Sequence, residues 1–305
     1  MDRLEVELAG LKLQNPVMNA SGVLGLTSYS LERLAKTGVG AVVTKSFGLN
    51  VRNGNPNPII FETSCGLLNS VGLPNPGIDE VIKELKKALE KVKIPIIVSV
   101  FGFSPEEYLE TVKRLEKLGF SAFELNVSCP HVKGVGEIGQ NTDVLAETIK
   151  KVKSVTHKPV FVKLTPNVSN IAELAKVAKE AGADAVTAIN TIKAMIIDVE
   201  TGKPVLGGKI GGLSGSAIKP IAIRCVYEIF REINIPVIGC GGISNWMDAV
   251  EFFMAGASAI QIGTAVIHKD LKVFGEILQG LNYYLEKKNI KNVKEIVGLA
   301  HRVGE

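Results

Sequence analysis

The residues of this chain whose types and spacing could do chemistry centre on the stretch NVSCPHVKGVGEIGQ, residues 126–140. A cysteine is more often a small buried hydrophobe than a catalyst, and that reading suits Cys225 and Cys65. Cys129 differs: an apolar run ends at Asn126, and a polar, Gly-rich loop carries the thiol beyond it, next to Pro130 and His131. Its thiolate would be the active form, so a reaction that uses it speeds up as pH rises toward the thiol pKa. His131 reads as plain surface. Two lysines also follow apolar runs directly, Lys45 in TKS and Lys163 in VKLTP. One such lysine could simply reach solvent. Two of them, both placed to converge on one place, make that bland reading less likely.

Glycines suggest the other half of the site. GCGGISN (239–245), QIGTA (261–265) and GGLSGSAIKP (211–220) each precede a helical stretch. Glycine lets backbone N–H groups approach an anion closely, and a following helix adds its positive end. Any one could be only a tight turn. Three at successive junctions favour a phosphate-bearing ligand.

These residues need elements to hold them, and the chain supplies one repeating unit: a short apolar strand, a loop, then an amphipathic helix. Strands are expected at 17–20, 41–45, 96–100, 122–126, 160–164, 185–189, 237–239 and 259–262, with helices including 105–118, 143–155, 171–181, 217–233, 246–255 and 271–288. The exits KTGVGAVV, KLGFSAFEL, EAGADAVTAI and MAGASAIQI each place Gly where a left-handed C-cap belongs. Strands apolar on both faces are those of a buried parallel sheet. Eight even units without a composition break favour a single α/β domain over 1–305, a (β/α)8 TIM barrel, over an open doubly wound sheet. Residues 4–8 and 11–13 read as a preceding β-hairpin. Long Gly/Pro/Asn-rich insertions at 46–77 and 190–213 fall on the C-terminal face, where such barrels carry their sites.

The whole chain agrees. Its 305 residues are 46% hydrophobic and 22% charged, which suits a globular protein with a large core. A formal net charge of +4, with lysines such as Lys83, Lys86 and Lys87 alternating with acids at helical spacing, reads as a solvated face rather than a nucleic-acid surface. No apolar run spans a membrane and the N-terminus lacks a signal-peptide core, so a cytoplasmic protein is expected. Four scattered cysteines without a C-x-x-C pair argue against a metal or iron–sulfur site on this chain.

In order, NPVMNASG (15–22), TKS (44–46), NSVGLPNPG (69–77), ELNVSCPHV (124–132), VKLTPN (162–167), AINT (188–191), GGLSG (211–215), IGCGGI (238–243) and IGTA (262–265) resemble the dihydroorotate dehydrogenase family over nearly the whole chain. The resemblance implies FMN, held by Ser21, Lys45, Ser46, Ser99, Asn126, Lys163, Ile189, Gly215, Gly241, Gly242, Gly263 and Thr264. It implies dihydroorotate held by Lys45, Asn69, Ser70, Val71, Gly72, Leu73, Asn126, Asn190 and Thr191. Cys129 matches the catalytic base of class 1, with Lys45 and Lys163 as further catalytic groups. The phrasing of the N-terminus and of 190–215 resembles class 1B catalytic subunits. In that class, a homodimer of this chain would form the core of a heterotetramer with a second subunit carrying FAD and [2Fe–2S] and using NAD+. The stretch SFGLNVRNGNPNPIIFE departs from that phrasing. A fumarate-using class 1A enzyme, or a reductase similar to dihydropyrimidine dehydrogenase, is the alternative.

Overall fold

The computed structural model describes residues 3–128 and 138–302. Eight parallel strands form the central sheet: β1 (Val17–Asn19), β2 (Val42–Val43), β3 (Ile96–Val100), β4 (Ala122–Asn126), β5 (Val160–Lys163), β6 (Ala185–Ala188), β7 (Val237–Cys240) and β8 (Ala259–Ile262). Their hydrogen-bonded order is β1-β8-β7-β6-β5-β4-β3-β2, the sequential order of a barrel. Main-chain pairing between the end strands is sparse, a single parallel bridge from Met18 to Ala41. The Asn19 side chain completes it. Its amide donates to the Val43 carbonyl at 2.7 Å and accepts from the Val43 N–H at 2.9 Å, standing in for a peptide group.

The helices α1 (Ser28–Ala35), α2 (Ile78–Lys91), α3 (Pro105–Leu115), α4 (Thr142–Lys153), α5 (Ile171–Glu180), α6 (Lys219–Glu232), α7 (Trp246–Ala255) and α8 (Lys272–Lys287) alternate with the strands. Thr27, Ser104, Asn141, Asn170 and Asn245 cap α1, α3, α4, α5 and α7, their side-chain oxygens accepting first-turn N–H groups. Of the four expected glycine exits, Gly38, Gly182 and Gly256 take positive φ, whereas Gly119 does not. The helices bury their apolar stripes against the sheet in one continuous core running from Leu4 to Ile296. The hairpin of Val6–Leu8 and Leu11–Leu13 packs Leu8 and Leu13 into that core.

Two expectations need correcting. The strand expected over 41–45 shortens to Val42–Val43; Thr44 N–H still reaches the Ile97 carbonyl at 3.0 Å, while Lys45 N–H turns to the Gly25 carbonyl at 3.1 Å. This close approach requires glycine: a Cβ on Gly25 would sit 2.8 Å from the Val43 oxygen. Nor are the two insertions plain loops. Ile192–Ala194, Gly211–Ser214, Gly66–Asn69 and Ile60–Thr63 pair in that order as one antiparallel sheet, in which each insertion supplies a hairpin to the other. Among the described residues no helix is long and apolar enough to cross a membrane.

Candidate active site

A cavity of about 420 Å³ opens where the strands end and the insertion sheet begins. Ser21 follows β1, Lys45 and Ser46 follow β2, and Asn126 and Lys163 end β4 and β5. Ile189, Asn190 and Thr191 follow β6, Gly241 and Gly242 follow β7, and Gly263 and Thr264 follow β8. The insertion sheet and its margins add Asn69, Val71, Leu73 and Gly215. Three residues expected to touch ligand stand behind the wall instead. Ser99 is wholly buried and holds the Ser46 hydroxyl at 2.9 Å. Ser70 is also fully buried, and Gly72, at φ +78°, turns the chain against Asn55. Cys129, Pro130 and His131 lie outside the described residues.

The two lysines occupy different electrostatic surroundings. The Lys45 ammonium makes no hydrogen bond or ion pair among the described residues, and burial pushes it below the ordinary lysine value. Lys163 is 4% exposed and donates to Gln261 Oε1 at 3.0 Å, with Cys240 Sγ at 3.8 Å. Burial acts to lower its pKa, but its interactions with Cys240 and Glu124 outweigh that and raise it, the Cys240 share arising only where that thiol ionises. The Cys240 thiol is itself pushed up, first by burial and against the pull of Lys163. It is therefore a neutral thiol at neutral pH.

On the far wall the chain presents bare backbone. The N–H groups of Gly215, Gly242, Ile243, Gly263 and Thr264 make no hydrogen bond among the described residues. Unpaired N–H groups of residues that line one cavity are a ready anion site. The helix after β8, Ala265–Lys269, spans only five residues, so the amides rather than a long helix supply the positive potential.

Amides and hydroxyls tie the remaining wall together. Asn126 Nδ2 donates to Ser46 Oγ at 2.9 Å, and Asn190 Nδ2 donates to Asn126 Oδ1 at 3.2 Å and Ser128 Oγ at 2.8 Å. Ser128 is wholly buried, so the residue before Cys129 is fixed from the cavity wall. Beyond the undescribed stretch, a Cβ on Gly139 would lie 2.3 Å from the Val127 oxygen. The two ends of the segment that carries Cys129 therefore meet at the mouth of β4.

Sequence reasoning missed two groups. The hairpin residues Ile60, Glu62, Thr63, Ser64 and Cys65 and, across the opening, Ile267 and His268 also line the cavity; no sequence signal marks them. Glu124, Gln261 and Thr187 lie beneath Lys163. Their signal was available: AFELN, AIQI and AVTA each set a polar side chain inside an otherwise apolar, buried strand.

The family model of dihydroorotate dehydrogenase matches residues 3–285. This chain belongs to the dihydroorotate dehydrogenase family. A relative from Pyrococcus abyssi is 52% identical over 98% of this chain and 100% of its own length. One from Pyrococcus furiosus is 50% identical over 98% and 99%, and one from Methanocella arvoryzae 49% identical over 99% of each. All three are named dihydroorotate dehydrogenase B (NAD(+)), catalytic subunit, the class 1B type that the sequence resembles. Dihydroorotate dehydrogenases are flavin-dependent oxidoreductases, and the residues present fit a flavin mononucleotide: unpaired amides for a phosphate, a fixed cation, and a cavity within the ~300–1,000 Å³ usual for such ligands.

Proposed function

We propose that this chain is the catalytic subunit of an NAD(+)-linked dihydroorotate dehydrogenase, oxidising dihydroorotate to orotate on the way to UMP. The observation that carries the reading is the pairing, in one cavity, of a buried lysine and a wall of backbone amides that have no partners among the described residues. The amides of Gly215, Gly242, Ile243, Gly263 and Thr264 would receive the FMN phosphate, and Lys163 would face the polar edge of its ring system. Bound FMN supplies the two-electron acceptor that no side chain offers.

The substrate is a cyclic amide carrying a carboxylate, and the wall matches both features. Asn69, Asn126 and Asn190 each carry a donor and an acceptor, which suits an amide edge. Lys45 would take the anion, and ligand binding would then restore the pKa that burial depresses. Cys129, in thiolate form, would remove the C5 proton while the C6–H bond gives up its electron pair. The anchoring of Ser128 by Asn190 puts the start of that loop at the cavity wall. We assign the passage of electrons to NAD+ to a partner subunit with FAD and [2Fe–2S], around a homodimer of this chain, in a soluble cytoplasmic assembly. Within this chain, no cluster of three or more metal-ligating side chains is found among the described residues.

The test is spectroscopic. The chain purified alone should show a flavin absorption band that dihydroorotate bleaches without oxygen, and NAD+ by itself should fail to restore it. Oxidised flavin that dihydroorotate leaves unchanged would overturn the substrate. Cys129→Ser should keep the flavin and bleach ~100- to 10,000-fold more slowly at neutral pH, the range of a lost general base. Near-normal bleaching in that variant would remove Cys129 from the role.

A further inference from the structure

Beneath Lys163 the barrel interior carries a buried carboxylate that the proposed chemistry does not use. Glu124 points inward from β4 and is 0% exposed. Its Oε2 accepts from Gln261 Nε2 at 2.5 Å and from Thr187 Oγ1 at 3.0 Å. Oε1 has no hydrogen-bond partner among the described residues. Both contacts to Oε2 are donors, the only kind a carboxylate oxygen can accept. Gln261 then uses its other end to accept from the Lys163 ammonium at 3.0 Å. A single amide thus spans an anion on β4 and a cation on β5, oriented by both.

We propose that Glu124 is a positioning residue which, through Gln261, holds Lys163 protonated and aimed at the cofactor. This rests on the reading of the cavity as an FMN site. Fully buried, Lys163 would tend to shed its proton without a counter-charge. Among the described residues, the charged or titratable groups that share its surroundings are Glu124 from β4, Cys240 from β7 and Lys45 beyond β2, with Cys65 and the Glu62–His268 pair at the exposed rim of the cavity. Lys45 has the wrong sign, and Cys240, its thiol raised by burial, is neutral at neutral pH. Glu124 remains as the counter-charge. The arrangement also explains why a carboxylate is kept inside a layer of Val, Ala and Ile where an apolar residue would pack more cheaply.

The experiment follows the midpoint potential of bound FMN against pH, from about 7 up to about 12, in the parent holoenzyme, whose Lys163 is raised above 10.5, and in Glu124→Gln. A change of slope marks the pH at which Lys163 loses its proton. In Glu124→Gln this break should move down by at least about one pH unit, and Glu124→Asp should restore most of it. A merely structural role would lower flavin content without moving the break. If Glu124→Gln does not load flavin, Gln261→Leu decides the matter and should move the break the same way by less. An unmoved break in whichever variant loads flavin overturns the proposal. Failure of the parent to hold FMN would instead sink the functional reading.

Discussion

Two regions of the same cavity treat a lysine in opposite ways. On the floor, between β5 and β8, Lys163 is fully enclosed, hydrogen-bonded to Gln261, and lifted in pKa by nearby charge. On the wall after β2, Lys45 has no acceptor among the described residues and is held down by burial alone. The floor is complete within the protein, as a group that tunes a resident cofactor must be. The wall carries an unmet electrostatic demand that a passing anion satisfies, as substrate recognition requires. The difference teaches that buried charges of one type can be sorted into resident and transient roles by whether the fold supplies their partners.

The comparison can be broken most severely on the floor. Lys163→Met leaves the Glu124 carboxylate without a counter-charge and should cost about 3–5 kcal/mol of stability, read from urea unfolding. A variant as stable as the parent would mean Glu124 carries no charge and would erase the distinction.

The same substitution on the wall should behave otherwise. Lys45→Met should weaken orotate binding roughly 10- to 100-fold, the worth of one charge-assisted contact. Its effect on the ligand-free fold should be small and of opposite sign. Because the folded-state pKa of Lys45 lies below 10.5, the unfolded chain binds more protons between the two values, and stability rises with pH across that window. The penalty is present in full below it. Lys45→Met should therefore melt roughly 2 °C higher at neutral pH, with the gain fading as pH nears 10.5. A lower melting temperature in that variant would reveal a partner for Lys45 and bring the two regions together.

Much of the architecture was legible because its signals are local. An apolar run followed by an amphipathic stretch, with a cap such as Ser104 or Asn170 between them, needs no knowledge of distant residues. Lys45 and Lys163 were legible as cavity-lining residues for the same reason, each sitting at or just past the end of a buried strand. The insertion sheet was not. Its strands are three or four residues long and include Gly66, Gly211 and Gly212, and each hairpin finds its neighbour only in the other insertion, as when Asn69 meets Gly212. That Ser99 and Ser70 are buried and do not line the cavity was not legible either. Motif membership says that a residue belongs to the site, while only packing says which side of the wall it faces.

By itself, then, the sequence determined the eightfold alternation of strand and helix, the face on which the site lies, and the residue types available there. Those follow from periodicity, capping and strand ends, interactions that span a few residues. Tertiary structure alone decided that Asn19 would close the barrel through Val43. It decided too that Gln261, 137 positions from Glu124, would bridge that carboxylate to Lys163, and that Lys45 would find no ion-pair or hydrogen-bond partner for its ammonium among the described residues. Charge and hydrogen-bond satisfaction depend on which atoms come within about 3 Å of one another, and chain closure into a barrel sets those distances between residues far apart in sequence.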